Sequence, residues 1–275
     1  MISVKQKGTV PFLLFPFYFL RKKGTVPFLL FSEKISPKSS SSLIRKDKIM
    51  PRGNRRLAEG LTYHVINRGN GKQTVFHKGQ DFRSFVELIK ESKERYPIDI
   101  FAYCLMPNHF HFVLKPDQPN HLSQWMQWLT TVHALRYHLY YKTSGHIWQG
   151  RFKSFIIQND EHLLTVIRYV EGNPVRAGIV LSSRDWLWSS LNDRLSNKYE
   201  IIMDNLPIKL PSDWLNYVDE HLIDKEIDKL RRCVNRESPY GNDEWQKMIC
   251  QRLGLEHTLR ARGRPRKKGT VPFLT

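Results

Sequence analysis

The sequence predicts an α+β fold, an antiparallel sheet of ferredoxin or RRM type with helices on one face, followed by a small C-terminal helical extension. Three observations predict it. Between residues 61 and 170, stretches of two-residue alternation exchange with stretches of helical periodicity in the order β-α-β-β-α-β-α. Turn-forming residues fall at the joints, at Gly69, Pro97 and Pro107-Asn108. The hydrophobic share of 40% is that of a chain able to bury a core.

The elements follow in order. "LTYHVINRG" (61–69) alternates as a strand does and stops at Gly69. From Asp81 to Tyr96, Phe82, Phe85, Val86 and Ile89 line one side of a helix that Pro97 ends. "IDIFAYCLM" (98–106) and "HFHFVLKP" (109–116) are two strands in a hairpin-like pair. Leu122 to Tyr141 is a long amphipathic helix rich in Trp and Tyr. "IWQGRFKSFII" (147–157) contains a fourth strand, and Glu161 to Val170 another helix. After Trp186 the pattern weakens into helical pieces near 212–233 and 242–253. The expected division is a non-globular segment 1–49, a main domain 50–184, a helical extension 185–258 and a basic tail 259–275.

Charge points to nucleic acid, but unevenly. The formal net charge is +18. Residues 1–49 hold ten Lys/Arg against Glu33 and Asp47, and Arg260 to Lys268 adds six basic residues without an acid. Little of the excess is left for residues 50–259, so the globular part is not a uniformly basic DNA-coating surface. Cys104, Cys233 and Cys250 have neither metal-site nor redox spacing, which fits a reducing cytoplasm. "VPFLLFPFYFL" (10–20) imitates a signal-peptide core, but it is too short to span a bilayer and Arg21-Lys22-Lys23 follows it.

The peptide Lys-Gly-Thr-Val-Pro-Phe-Leu recurs from Lys7, from Lys23 and from Lys268, at both ends and nowhere between. It is too short and Pro-broken to stack as a structural repeat. With the Lys that precedes it at 22 and 267, its codons can be written AAA AAG GGG ACN GTC CCC TTT TTR, in which AAAAAGGGGAC and GTCCCCTTTTT are reverse complements around the central N, a palindrome able to fold as a hairpin in single-stranded DNA. The expectation is that flanking repeat DNA has been translated in frame, with Met50 the natural start. Residues 32–49 are Ser-rich and polar, as an unstructured segment would be.

Two stretches carry chemistry. In a strand, positions i and i+2 share a face, so His109 and His111 point together while Phe110 and Phe112 point into the core. Two imidazoles side by side can grip a divalent metal, and they equally suit the polar face of a half-buried strand. In "RYVEGNPVRAG" (168–178), Tyr169 and Asn173 are four apart and share a helix face if the helix reaches that far. Pro174 places Asn173 at or near the helix end, where its amide is free to supply an oxygen ligand. A helix-ending Asn-Pro beside a core tyrosine is the plainer alternative.

Together "MPNHFHFVLKP", "WQGRF", "YVEGNPVRAG" and the Trp-Leu-Trp-Ser-Ser at 186–190 resemble the REP-associated tyrosine transposases, over about residues 50–268. These are single-tyrosine members of the HUH superfamily, related to small insertion-sequence transposases. The resemblance implies a catalytic domain at 50–184 that cleaves and rejoins single-stranded DNA at palindromic repeat hairpins through a 5′-phosphotyrosine. It makes Tyr169 the nucleophile and His109, His111 and Asn173 the ligands of Mg²⁺ or Mn²⁺. Asn173 stands where more distant relatives have glutamine. Donor softness alone would also admit Zn²⁺ or Ni²⁺. A monomer or a homodimer fits the family. A DNA-binding protein that occupies repeat hairpins without cutting is the alternative function, and a replication initiator or relaxase of the same superfamily a third.

Other residues are weighed beside these. Tyr137, Tyr140 and Tyr141 are rival nucleophiles on a helix where packing explains them as well. His133 and His138 share that helix and are expected not to be ligands. His64 is expected to be structural or DNA-facing. Arg151 and Arg176 are candidate DNA contacts. "RARGRPRKK" (260–268) resembles an AT-hook, with Arg262 and Arg264 placed to enter a narrow minor groove.

Overall fold

Strand β1 (Thr62–Arg68) enters the sheet at its centre, between the two strands with which it pairs. It is followed by helix α1 (Gly79–Arg95), strands β2 (Ile98–Met106) and β3 (His109–Pro116), helix α2 (His121–Tyr141), strand β4 (Lys153–Ile157) and helix α3 (Glu161–Glu171). The computed structural model describes residues 57–196 and 203–260. All of them fall in one unit, Gly53–Thr275. Segment 1–49 and the tail arginines Arg262 and Arg264 lie outside the described residues.

The sheet order is β2-β3-β1-β4, antiparallel throughout, which is the ferredoxin-like order expected of β-α-β-β-α-β. On one face Tyr63, Val65, Phe110, Phe112 and Leu114 meet Phe82, Phe85 and Ile89 of α1 and Leu122, Trp125 and Leu129 of α2. Each such side chain contributes ~1.5–3 kcal/mol by leaving water. Asp81 starts α1 by accepting the backbone N–H groups of His77 (2.7 Å) and Lys78 (3.2 Å).

The expected α+β fold is found, with α1 and α2 on one face of the sheet. Helix α3 adds a layer on the opposite face, where Val166, Ile167 and Val170 pack on Cys104, Met106, Val113 and Phe155. The reason is legible in β2. It is apolar on both sides, and a register shift between Ile100 and Ala102 changes which residues face which layer. A strand buried on both faces needs a layer on each.

Beyond α3 come α4 (Asn173–Arg176), α5 (Ser190–Ser196), α6 (Trp214–Asp219), α7 (Asp224–Arg236), α8 (Asp243–Leu253) and α9 (Glu256–Leu259). Several of these helices brace α3. The carboxylate of Glu171, at the end of α3 and fully buried, accepts from Trp214 Nε1 (2.6 Å), Arg194 Nε (3.0 Å) and Ser190 Oγ. Among the described residues no helix is long and apolar enough to cross a membrane.

Candidate active site

The register of β3 builds the site. His109 lies opposite Arg68 of β1 and Met106 of β2, and His111 opposite Ile66 and Cys104. The two imidazoles sit side by side, their centroids 5.0 Å apart, on the face covered by α3. His111 is buried and His109 half-buried.

Their outer nitrogens are already anchored. Asn108 Nδ2 donates to the carbonyl of Lys72 (3.1 Å), which turns Asn108 Oδ1 toward His109 at 2.6 Å. His109 Nδ1–H is therefore the donor there, and Nε2 carries the lone pair, on the side of the ring nearer Asn173. His111 Nδ1 lies 2.9 Å from Nε2 of His64, a fully buried residue of β1. On the other side of the ring, His111 Nε2 lies 3.1 Å from Asn173 Nδ2. With that amide as donor, the protons run in one direction: Asn173 to His111 Nε2, His111 Nδ1–H to His64 Nε2. His64 Nδ1 is left buried without a hydrogen-bond partner.

Both ligand candidates are held neutral. Burial lowers His109 to about 4, helped by the nearby Arg68 charge. Burial, then His109, His64, Arg176 and Arg68, keeps His111 well below the ordinary imidazole value. Burial alone lowers His64 to about 3. Lone pairs are thus available at neutral pH, as metal ligation requires.

Helix α3 delivers the tyrosine. Its ring stands edge-on to His111 at 5.9 Å and to His64 at 6.3 Å between centroids. The helix ends at Glu171, and Asn173 opens the short turn α4, so Asn173 reaches the site from just beyond the helix end. Gly172 makes that junction possible. A Cβ there would come within 3.0 Å of Arg176 Nη1 and 3.1 Å of the Arg168 and Val218 carbonyls. Arg176 then folds back, its guanidinium 4.3 Å over the Tyr169 ring and its Nη2 donating to the Tyr169 carbonyl. Burial lowers Arg176 to about 10, with Tyr169 opposing the shift, so it stays charged near neutrality.

Tyr169, His109, His111, Asn173 and Arg176 are therefore brought together. Two imidazole Nε2 atoms with one amide, whose oxygen and nitrogen exchange by a flip, fit a divalent cation by donor type. Arg151 is placed elsewhere. It is exposed and lines a cleft of about 730 Å³ with Asn67, Asn120, Ser123, Gln127 and Thr130. The rival tyrosines are engaged in joining α2 to α1: Tyr137 with His77 (2.8 Å), Tyr141 with Asp81 (2.7 Å) and Tyr140 with Lys78. His133 is buried among Phe76, Phe85 and Trp148, and His138 bonds Thr143 and the Gly145 carbonyl. Asp160, Glu161 and His162 form another group with metal-type donors. There Asp160 caps α3 through His162 N (2.9 Å) and already meets His162 Nδ1 at 2.7 Å.

Sequence reasoning left His64 undecided and missed Arg68. The signal for both was strand alternation, since 64, 66 and 68 share a face; which strand they adjoin required the β1–β3 register.

Part of the chain is similar to known proteins. Residues 58–173 match the family model described as "Transposase IS200 like". A Haemophilus influenzae protein provisionally named a REP-associated tyrosine transposase is 29% identical over 145 residues, 49% of this chain and 74% of that relative. Among solved structures, a REP-associated tyrosine transposase bound to a REP hairpin is 19% identical with a TM-score of 0.46, covering 63% of this chain and 99% of that one. A protein of Deinococcus radiodurans provisionally described as a transposase is 18% identical with a TM-score of 0.32, over 45% and 97% of the two chains. The family match begins just before β1 and ends at Asn173, so the part of the chain that is similar to the IS200-like transposases spans both histidines, the tyrosine and the asparagine.

Proposed function

We propose that this protein cuts and rejoins single-stranded DNA at palindromic repeat hairpins, with Tyr169 as the nucleophile and Mg²⁺ or Mn²⁺ held by His109, His111 and Asn173. One observation carries the reading: β3, α3 and α4 converge a tyrosine, two neutral imidazoles and an amide on one cluster. A structural tyrosine beside a helix-ending Asn-Pro would not need two imidazoles whose Nδ1 atoms are both anchored and whose Nε2 atoms are both left as acceptors, with the Asn173 amide against the Nε2 of His111.

A tyrosine hydroxyl, with an ordinary pKa of ~10, is a weak nucleophile at neutral pH. When bound, the metal offsets phosphate charge and makes phosphorus more electrophilic. The protein supplies the rest. Arg176 holds the Tyr169 ring from above and fixes its backbone, setting the direction of attack. The phenol oxygen bonds to phosphorus as the P–O3′ bond breaks; the 3′-oxygen takes up a proton and the phenol proton passes to solvent. The 5′-phosphate stays on Tyr169, and attack by a 3′-OH reverses the step without ATP.

The hairpin is assigned from the chain's own repeat peptide and from the description of the solved relative. In this reading residues 50–184 are the catalytic domain, 185–258 an extension bracing α3, and 259–275 an electrostatic tether. Arg176 and Arg151 contact DNA near the site and in the α2 cleft, and Arg262 and Arg264 contact it from the tail. The enzyme acts in the cytoplasm as a monomer or homodimer.

The test is incubation of the full chain and Mg²⁺ or Mn²⁺ with a single-stranded oligonucleotide carrying the AAAAAGGGGAC/GTCCCCTTTTT hairpin and its flanks. A denaturation-resistant protein–DNA adduct is expected, lost in Tyr169→Phe and in EDTA. Hairpin binding with no adduct under any of these metals would leave the non-cleaving reading in its place.

A further inference from the structure

We infer that Arg68 is a phosphate-binding residue of this site, gripping the phosphate that Tyr169 attacks; the inference rests on the function proposed above. Arg68 is the last residue of β1 and pairs directly with His109 across the β1–β3 ladder. Directly opposed residues of adjacent antiparallel strands project to the same face, their Cβ atoms ~5 Å apart. The side chain of Arg68 therefore starts beside His109, on the face that α3 and Tyr169 cover.

Its surroundings leave its charge unanswered. Arg68 is half-buried, and its Nε is buried without a hydrogen-bond partner. Among the described residues neither Arg68 nor Arg176 forms an ion pair with a carboxylate. Contrast Arg194 in the same unit, which is spent on buried Glu171 at 3.0 Å. The groups acting on His109 and His111 are likewise cationic or neutral, with no acid among them.

A half-buried guanidinium beside neutral metal-type donors, with no anion of its own, is costly to keep unless an anion arrives from outside. Buried cations in a fold are normally paired; this one is paired by substrate. The planar fork suits two oxygens of a phosphodiester, and its Nε–H is among the donors. Arg176, by contrast, is occupied with the Tyr169 ring and carbonyl. The two arginines thus divide the work, one orienting the nucleophile and the other the phosphate.

The experiment reads the charge of a single phosphate. Wild-type protein is first used to map the cut in the hairpin oligonucleotide. A second oligonucleotide then carries a neutral methylphosphonate at that one position. Binding of both is measured in a Tyr169→Phe background, with Arg68 kept or changed to Gln or Lys, and melting temperatures are recorded for each. With Arg68 present, neutralising the phosphate should weaken binding about tenfold, the effect of removing one charge-assisted hydrogen bond. With Arg68→Gln the same change should matter less than about threefold, and Arg68→Lys should recover part of the difference. An undiminished penalty in a folded Arg68→Gln protein overturns the inference and leaves the proposed function standing. Absence of any adduct from wild type overturns the proposed function and this inference with it.

Discussion

The contact between His64 and His111 makes a quantitative prediction. His64 Nε2 lies 2.9 Å from His111 Nδ1, in a fully buried setting, with the Phe155 ring tilted against it at 4.7 Å between centroids. His64→Phe keeps a ring against Phe155 and removes only the acceptor. His111 Nδ1–H would then be buried without a partner, a penalty of ~1–3 kcal/mol. The ring can escape that penalty by moving its proton to Nε2, where the Asn173 oxygen accepts it after an amide flip. That is the wrong tautomer for ligation, so a metal must displace the proton before binding.

Loss of such an outer partner typically lowers metal affinity ~10–100-fold, or ~1.4–2.7 kcal/mol. Mn²⁺ titration followed by electron paramagnetic resonance, on the full chain without DNA, measures it directly. His64→Gln should stay within about threefold of wild type, because its side-chain oxygen reaches roughly where Nε2 stood and still accepts. Melting curves separate misfolding from a tautomer effect. A folded His64→Phe protein that binds Mn²⁺ as tightly as wild type refutes the reasoning. So does a His64→Gln protein as weak as His64→Phe, which would make the imidazole's shape the cause.

Other perturbations follow from the same structure. Glu171→Gln removes the charge that answers Arg194 and should destabilise the fold by ~3–5 kcal/mol in a denaturant titration, as breaking a buried pair does; a loss under 1 kcal/mol would show the pair to be dispensable. His133, buried and lowered to about 3, with Asp81 opposing and Arg136 and His138 reinforcing the shift, binds a proton only when the chain unfolds. Stability should therefore fall as pH drops from 6.5 toward 3, by up to ~1.4 kcal/mol per unit from this residue, and His133→Leu should flatten the slope measured by chemical denaturation. Removing residues 261–275 takes away five cations and should weaken hairpin binding and shallow its salt dependence, by ~0.7 in the log–log slope for each phosphate no longer neutralised, while the cut position stays fixed; a moved cut would make the tail a reader of sequence.

What the sequence disclosed and what it withheld divide along one physical line. Periodicity is a local property, and it placed β1 through α3 within a few residues because each element's apolar spacing and stop signal lie inside the element itself. The i, i+2 spacing put His109 and His111 on one face for the same reason, and Pro174 put Asn173 beyond the helix end. Pairing is not local. Nothing within "LTYHVINRG" says that residue 68 will stand opposite 109, or that His64 will reach His111; both depend on the β1–β3 register and on a sheet order that brings the first strand beside the third. The second helical layer was withheld likewise, since an all-buried strand such as β2 reads the same whether its far face meets a helix or another sheet.

The same division runs through the workings of the site. The residues visible locally, two histidines, a tyrosine and an asparagine, are the ones to which the proposed function assigns reactive or ligating atoms. Those visible only through pairing, His64 and Arg68, carry none, yet they set the tautomer of His111 and the charge beside His109. Each stands on β1, which is held on both sides by β3 and β4. In the proposed function, a ligand pair on β3 is backed by a central strand that is paired on both sides. Cleavage should therefore be more sensitive to a substitution at 64 or 68 than to one at an exposed position of α3 such as Glu161, and adduct yields from matched variants at these positions would decide it. Equal yields from all of them would place the control of the site somewhere other than β1.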